Sequence, residues 1–408
     1  MIRYISFKSL RTRRLNAMKL KSLSLLLVVI CGCALLTGCL GTSSTPAKGW
    51  SGPVVFNGSL YYGSMDRYLV KLDLTDPGKH AAEDSALDWQ YPQESQFATY
   101  FYSSPVVAGD IVCIGGYNGK IYAIDINSAK KEWQYPDNSG DFIGSIVGNP
   151  AVSGNVLYIG SSDKKLYALN IEDGTLFWPH AYETGGKIWS TPVVYNGTVY
   201  IGSFDHKMYA LDALTGEPKW AKPFETGGAI VSTPIIYNET LYFGSLDQKF
   251  YAVDIATGAL KGGFIPFKAD NWFWGKAVEY NGSIIAASLD GKLYALDAES
   301  GSKLWESTEI IGVVRGAPAL VNHLVIVGTD EGNNTGEVYY FNASTGDKVW
   351  ESPSPDDGGP ALGVIHASIG SNGSFIYVHT NQKIYAFNTS DTDKNAMPVW
   401  HYPSGDSK

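Results

Sequence analysis

Short stretches in which apolar and polar positions alternate recur along nearly the whole chain, and no window keeps a convincing helical period. One complete copy runs Thr191-Pro192-Val193-Val194-Tyr195, an Asn196-Gly197 turn, Thr198-Val199-Tyr200-Ile201-Gly202-Ser203, a second turn, Lys207-Met208-Tyr209-Ala210-Leu211-Asp212, a Thr215-Gly216 turn and Trp220. Period-two alternation of β-branched and aromatic residues is the pattern of half-buried strands. The tyrosine of the third segment recurs at Tyr122, Tyr167, Tyr209, Tyr251, Tyr294, Tyr339 and Tyr385, with Val70 in the first copy, at intervals of 42 to 52 residues. Four strand-like segments per copy and a period in the forties predict an all-β fold: an eight-bladed β-propeller of four-stranded antiparallel blades. The first copy opens at its inner strand and the last closes at its outer one. That order predicts eight self-contained blades, with no strand exchanged where the ring closes.

The turns between the segments carry the residues that such links need. Asn57-Gly58, Asn196-Gly197, Asn281-Gly282 and Asn372-Gly373 supply the positive φ of two-residue hairpins. The Asn-x-Ser/Thr matches at Asn57, Asn196, Asn238, Asn281 and Asn372 fall on these turns and are read as turn chemistry. The second hairpin places Asp66, Asn118, Asp163, Asp205, Asp247 and Asp290. A further row, Asp73, Asp125, Asn170, Asp212, Asp254, Asp297, Asn342 and Asn388, precedes the third turn, where an Asx side chain accepts the amides of the turn that follows. The tryptophans Trp89, Trp133, Trp178, Trp220, Trp305, Trp350 and Trp400 read as packing between adjacent blades. Blade five lacks its tryptophan at Thr257-Gly258-Ala259-Leu260-Lys261-Gly262, so its outer strand is expected to be loose or displaced.

The N-terminus departs from this pattern. Residues 1–38 hold seven basic residues and no acidic one, and the apolar run from Leu23 to Leu36 is too short to span a bilayer well. It ends in Leu36-Thr37-Gly38-Cys39, which resembles a bacterial lipobox. That resemblance implies a signal peptide over 1–38, diacylglyceryl on the Cys39 sulfur, a lipidated tether over 39–48, the propeller over 49–403 and a short tail over 404–408. Several acyl chains together would give lasting attachment to the extracytoplasmic face of a membrane. Beyond residue 38, acidic residues outnumber basic ones 40 to 24, an excess that repels phosphate backbones and disfavours nucleic acid as a partner. With Cys39 lipidated, Cys113 is the last cysteine of the exported part. It has no disulfide partner and reads as a buried thiol, so ring closure is expected to rest on packing and hydrogen bonds.

Candidate chemistry gathers at the start of the innermost strands. The position three residues before the Pro-like position of each copy reads Trp50, Tyr102, Val147, Trp189, Val231, Trp274, Arg315 and Ile365. These residues are expected to line one mouth of the central channel. Trp50, Tyr102, Trp189, Trp274 and Arg315 would form a funnel for a peptide or planar ligand, or would plug the channel or pack between blades. Trp272-Phe273-Trp274 crowds three aromatics where other copies carry Gly and Ser, a feature suited to a protein-binding hot spot if exposed. The near-duplicate loops Glu183-Thr184-Gly185-Gly186 and Glu225-Thr226-Gly227-Gly228 serve equally as anion-binding amides or as blade-to-blade crossovers. Asp330-Glu331-Gly332-Asn333-Asn334-Thr335-Gly336-Glu337 offers oxygen ligands without EF-hand spacing. His180, His206, His323, His366 and His379 form no zinc or triad pattern, so no catalytic or metal residue is assigned.

Taken together, the copies resemble PQQ-like repeats over roughly residues 49–403. These units are shared by quinoprotein dehydrogenases and by BamB-like lipoproteins of outer-membrane β-barrel assembly. The dehydrogenases carry an adjacent Cys-Cys pair beside the quinone and longer insertions for their calcium site. This chain has no such pair, and its insertions at 77–87, 137–146 and 330–337 are modest. The resemblance therefore implies a non-catalytic, monomeric scaffold for envelope proteins or peptides, without a cofactor. A PQQ-dependent dehydrogenase and a solute- or glycan-binding propeller stand as the alternatives.

Overall fold

The computed structural model describes residues 49–403 apart from 76–85, 94–98, 139, 309, 333, 356–357 and 391–396. Cys39, the signal segment and the tail beyond 403 lie outside the described residues. Strands form where alternation was read: 32 of them in eight four-stranded antiparallel sheets, with no α-helix among the described residues. In blade four, Val193–Tyr195, Thr198–Gly202, Lys207–Asp212 and Phe224–Glu225 pair in sequence order, with Tyr195 opposite Thr198 across Asn196-Gly197. Asn196 has φ 46° and Gly197 φ 68°, as the tight turn demands.

Each blade is complete within its own copy, including the first and the last. The apolar cores lie between blades. Eight buried clusters each draw residues from two neighbouring blades. The cluster that joins Leu60, Tyr62 and Leu72 to Tyr377, Ile384 and Trp400 closes the ring from blade eight to blade one. No shared strand holds that seam, so burial of apolar surface and a few buried hydrogen bonds must do so.

Two recurring contacts set the fit. In the first, an indole N–H crosses to a turn carbonyl of the next blade. Trp89 donates to Ile126 O at 2.9 Å, Trp133 to Ile171 O at 2.7 Å, Trp178 to Ala213 O at 3.0 Å, Trp220 to Ile255 O at 2.8 Å and Trp305 to Ala343 O at 3.2 Å. Blade five replaces the indole with two separate side chains. Phe264, 3% exposed, takes the ring's place against Tyr242 and Gly301. Lys261 Nζ takes the place of the N–H, donating to Ala298 O at 3.1 Å. Blade five is therefore not looser for want of its tryptophan. Blades three and four have equally short outer strands, Tyr182–Glu183 and Phe224–Glu225, although both carry one. In these blades the tryptophan turns inward upstream of the strand, so strand length and ring packing are separate matters.

In the second contact, the apolar residue that opens each blade seats on the last residue of the preceding blade's second strand. A methyl group built on Gly63, Gly115, Gly160, Gly202, Gly244 or Gly328 would overlap Phe101, Ile146, Ile188, Ile230, Phe273 or Ile365 respectively. Blade six carries Ala287 in place of glycine, and the residue at the position that opens blade seven is the smaller Val314, in the same buried cluster. At the seam the sizes reverse. His379 ends the strand in blade eight, and Gly49 opens blade one.

His379 is 5% exposed, and its Nδ1–H donates to Ser51 O at 2.7 Å. Burial lowers its pKa from 6.5 to about 4. The unfolded chain therefore binds the extra proton between those values, and stability must fall as pH drops from 6.5 towards 4. Melting curves across that window should show the fall in wild type and a shallower one in His379→Gln. Equal slopes would show that another group drives it.

Candidate functional site

The inner strands enclose a cavity of about 480 Å³ lined from all eight blades. Trp50, Tyr102, Trp189, Trp274 and Arg315 all line it, together with Val147 and Val231. The eighth member of the column is His366, not Ile365. Ile365 is 1% exposed and is the residue that seats on Gly328. The last copy has Ile369 where six copies carry proline and blade six carries Ala277, and a register step of one exchanges the channel face for the blade interface.

The lining side chains form two aromatic groups. Trp50 meets Tyr102 edge-on with centroids 4.4 Å apart and His366 at 5.4 Å, and Tyr102 meets Tyr117 at 5.0 Å. Opposite them, Trp189 packs edge-on against Phe204 at 4.7 Å, lies 6.5 Å from Trp274 and donates its indole N–H to Ser162 Oγ at 3.0 Å. Tyr102 and Trp189 are buried, while Trp50, Trp274 and Arg315 are half-buried. The column thus shares its surface between mutual packing and the open cavity. Within Trp272-Phe273-Trp274, Phe273 is 1% exposed and belongs to the blade interface, so only the flanking indoles are partly accessible.

Asp330, at the start of the loop read as a set of oxygen ligands, turns its carboxylate to the channel residues instead. His366 Nε2 lies 2.8 Å from its Oδ2 and Arg315 NH2 lies 3.5 Å away. The His366 hydrogen bond, then the Gly332 amide and the nearby charges, hold its pKa down at about 2 against the cost of burial. Arg315 is thereby fixed at the rim by a carboxylate 15 residues away in sequence.

One position before each proline runs a polar belt that the sequence reading missed. Gly52 N donates to Ser104 Oγ at 2.9 Å, Ser104 N to Asn149 Oδ1 at 2.7 Å, Asn149 N to Thr191 Oγ1 at 3.1 Å and Ala317 N to Ser368 Oγ at 3.1 Å. Each bond ties one inner strand to the next and satisfies an amide that lies beyond the ladder. The recurrence of Ser, Asn and Thr just before proline was the available signal.

The acidic rows serve the fold. Asp212 Oδ1 accepts the Leu214 and Thr215 amides, and Asp254 Oδ1 accepts that of Thr257. Asp205 and Asp247 each take a tyrosine hydroxyl from their own blade and a crossover amide, Gly185 N at 2.7 Å and Gly227 N at 2.8 Å. Those Gly-Gly amides therefore already hold the carboxylates of the blades they enter, and the loops are crossovers. Cys113 is fully buried, and desolvation pushes its thiol pKa far up, so it offers no thiolate.

No curated protein sequence matches the chain. Among solved structures, the computationally designed Ika8 protein is similar at 14% identity and TM-score 0.66, covering 82% of this chain and 94% of that one. BamB from Moraxella catarrhalis is similar at 18% identity and TM-score 0.63, with 81% and 93% covered. A quinohemoprotein alcohol dehydrogenase from Pseudomonas putida HK5 is similar at 16% identity and TM-score 0.60, with 83% and 70% covered. At such identities these likenesses speak for the propeller alone, and they include both a BamB protein and an alcohol dehydrogenase. The sequence profile described as outer membrane protein assembly factor BamB is more specific, matching residues 40–261 and 267–403. The chain belongs to that family of PQQ-like repeat propellers.

Proposed function

We propose that the protein is a lipid-tethered, extracytoplasmic propeller that binds envelope proteins or peptides and assists their assembly without catalysing a reaction. Membership of the BamB family carries this reading. The channel mouth supports it, with half-buried Trp50 and Trp274 and the anchored Arg315 set on strands held rigidly by eight interlocking cores. Partly accessible indoles and an oriented guanidinium are the side chains that dominate protein recognition. The tether is Cys39, and the acidic excess of the exported part turns it away from anionic lipid and nucleic acid.

Crosslinking in cells, followed by identification of captured proteins, tests the reading. Reproducible envelope partners are expected, with capture reduced several-fold in a Trp50→Ala, Trp274→Ala double variant. Recovery of lipid alone would overturn it. Cys39→Ser should move the protein from the membrane fraction to the soluble one. Retention in the membrane would remove the tether from the proposal.

A further inference from the structure

The cavity wall has the opposite sign to the rest of the protein. The chain carries 40 acidic and 31 basic residues, yet the basic side chains lining the cavity are Lys276, Arg315 and His366, with no aspartate or glutamate beside them. Arg315 and His366 share the carboxylate of Asp330 from outside the lining. Lys276, an exposed residue on the cavity wall, makes no hydrogen bond or ion pair with any described residue.

Its place in the belt makes the charge conspicuous. Ser104, Asn149, Thr191 and Ser368 occupy the same position in their copies and each accepts the amide of the copy before. An ammonium has no lone pair and cannot do this, so Lys276 gives up the belt's structural role. The cavity reaches it from Trp274, two residues earlier in the segment leading into the same inner strand, and from Trp189 on blade four, 6.5 Å from Trp274. Cation, apolar rings and uncharged hydrogen-bonding groups surround a space of about 480 Å³, within the range of small-ligand pockets.

We infer that this cavity binds a carboxylate borne on an apolar body, with Lys276 as its counter-ion and Trp189 and Trp274 against the body. The site goes beyond the scaffold reading and does not depend on it. Crowding by protein atoms lowers the Lys276 pKa from 10.5, which an anion held beside the ammonium would oppose. A free organic acid and the C-terminus of a peptide present the same chemistry.

Calorimetry on the full chain in detergent tests the site with 3-phenylpropanoate, its neutral amide, and Gly-Gly-Leu with a free or amidated end. The acids should bind saturably and the amides about tenfold or more weakly, the usual range for losing a hydrogen bond to a charged group. Lys276→Met should lose a similar factor with its melting curve unchanged, and Lys276→Arg should retain binding. Wild-type affinity should also fall at a pH below the ordinary lysine range. Tighter binding of the free tripeptide would assign the site to chain ends, and tighter binding of 3-phenylpropanoate would assign it to free acids. Failure of both acids to bind, or equal affinity in a folded Lys276→Met, would overturn the inference. Neither result would bear on protein capture in cells.

Discussion

Trp178→Ala is expected to lower the unfolding free energy by about 3–5 kcal/mol, the range for removing a buried tryptophan. Trp178 is 1% exposed and packs on Tyr158 with centroids 5.7 Å apart. It also covers Gly216 of the next blade. Its indole N–H shares the Ala213 carbonyl with the Tyr158 hydroxyl, at 3.0 Å and 2.8 Å. Truncation removes the ring's contacts, opens a cavity between blades three and four and leaves that carbonyl with a single side-chain donor. Trp178→Phe should recover much of the packing but not the hydrogen bond. Urea titrations read by far-ultraviolet circular dichroism would order the proteins as wild type, Phe, then Ala. An alanine variant within about 1 kcal/mol of wild type would mean that the site collapses readily around the loss.

The glycine at the end of the second strand supports a sharper expectation, because the protein contains its own control. Gly160→Ala should destabilise by about 1–3 kcal/mol, since the added methyl overlaps Ile188. Ile188→Val alone should cost about 0.5–1.5 kcal/mol through lost burial. The double variant recreates the Ala287 and Val314 pair that blades six and seven already use. It should therefore be more stable than the sum of the two single changes predicts, with a coupling of about 0.5–3 kcal/mol. Additive effects across that cycle would show that strand end and wedge accommodate their neighbours independently.

Much of the fold was legible because the same information is written eight times. Alternation, Asn-Gly turns and the tyrosine register fixed blade number, strand order and the self-contained ends before any contact was known. The aromatic column Trp50, Tyr102, Trp189 and Trp274 with Arg315 was legible for the same reason, since the apolar opening of each inner strand keeps these copies aligned. In the last copy that strand is only Gly370–Ser371, and the residue on the channel wall is His366, one beyond the expected Ile365. The features that stayed hidden break the repeat. Lys261 and Phe264 divide one tryptophan's work across a Gly262-Gly263 insertion that no spacing rule anticipates. Asp330 reaches a histidine 36 residues away. Lys276 reads as an ordinary surface lysine in the sequence, and although it stays exposed, only ring closure places it on the cavity wall.

Because every blade is finished within its own stretch of chain, the place where the polypeptide begins is arbitrary with respect to architecture. Joining residues 403 and 49 and cutting any other crossover would produce a circular permutant with the same eight sheets. Gain or loss of a whole copy by recombination would likewise leave its neighbours intact, provided the new junction matches a wedge to a strand end of complementary size. Copy number in such rings can therefore drift in steps of one unit, and the His379 bond to the Ser51 carbonyl marks the seam between the last blade and the first.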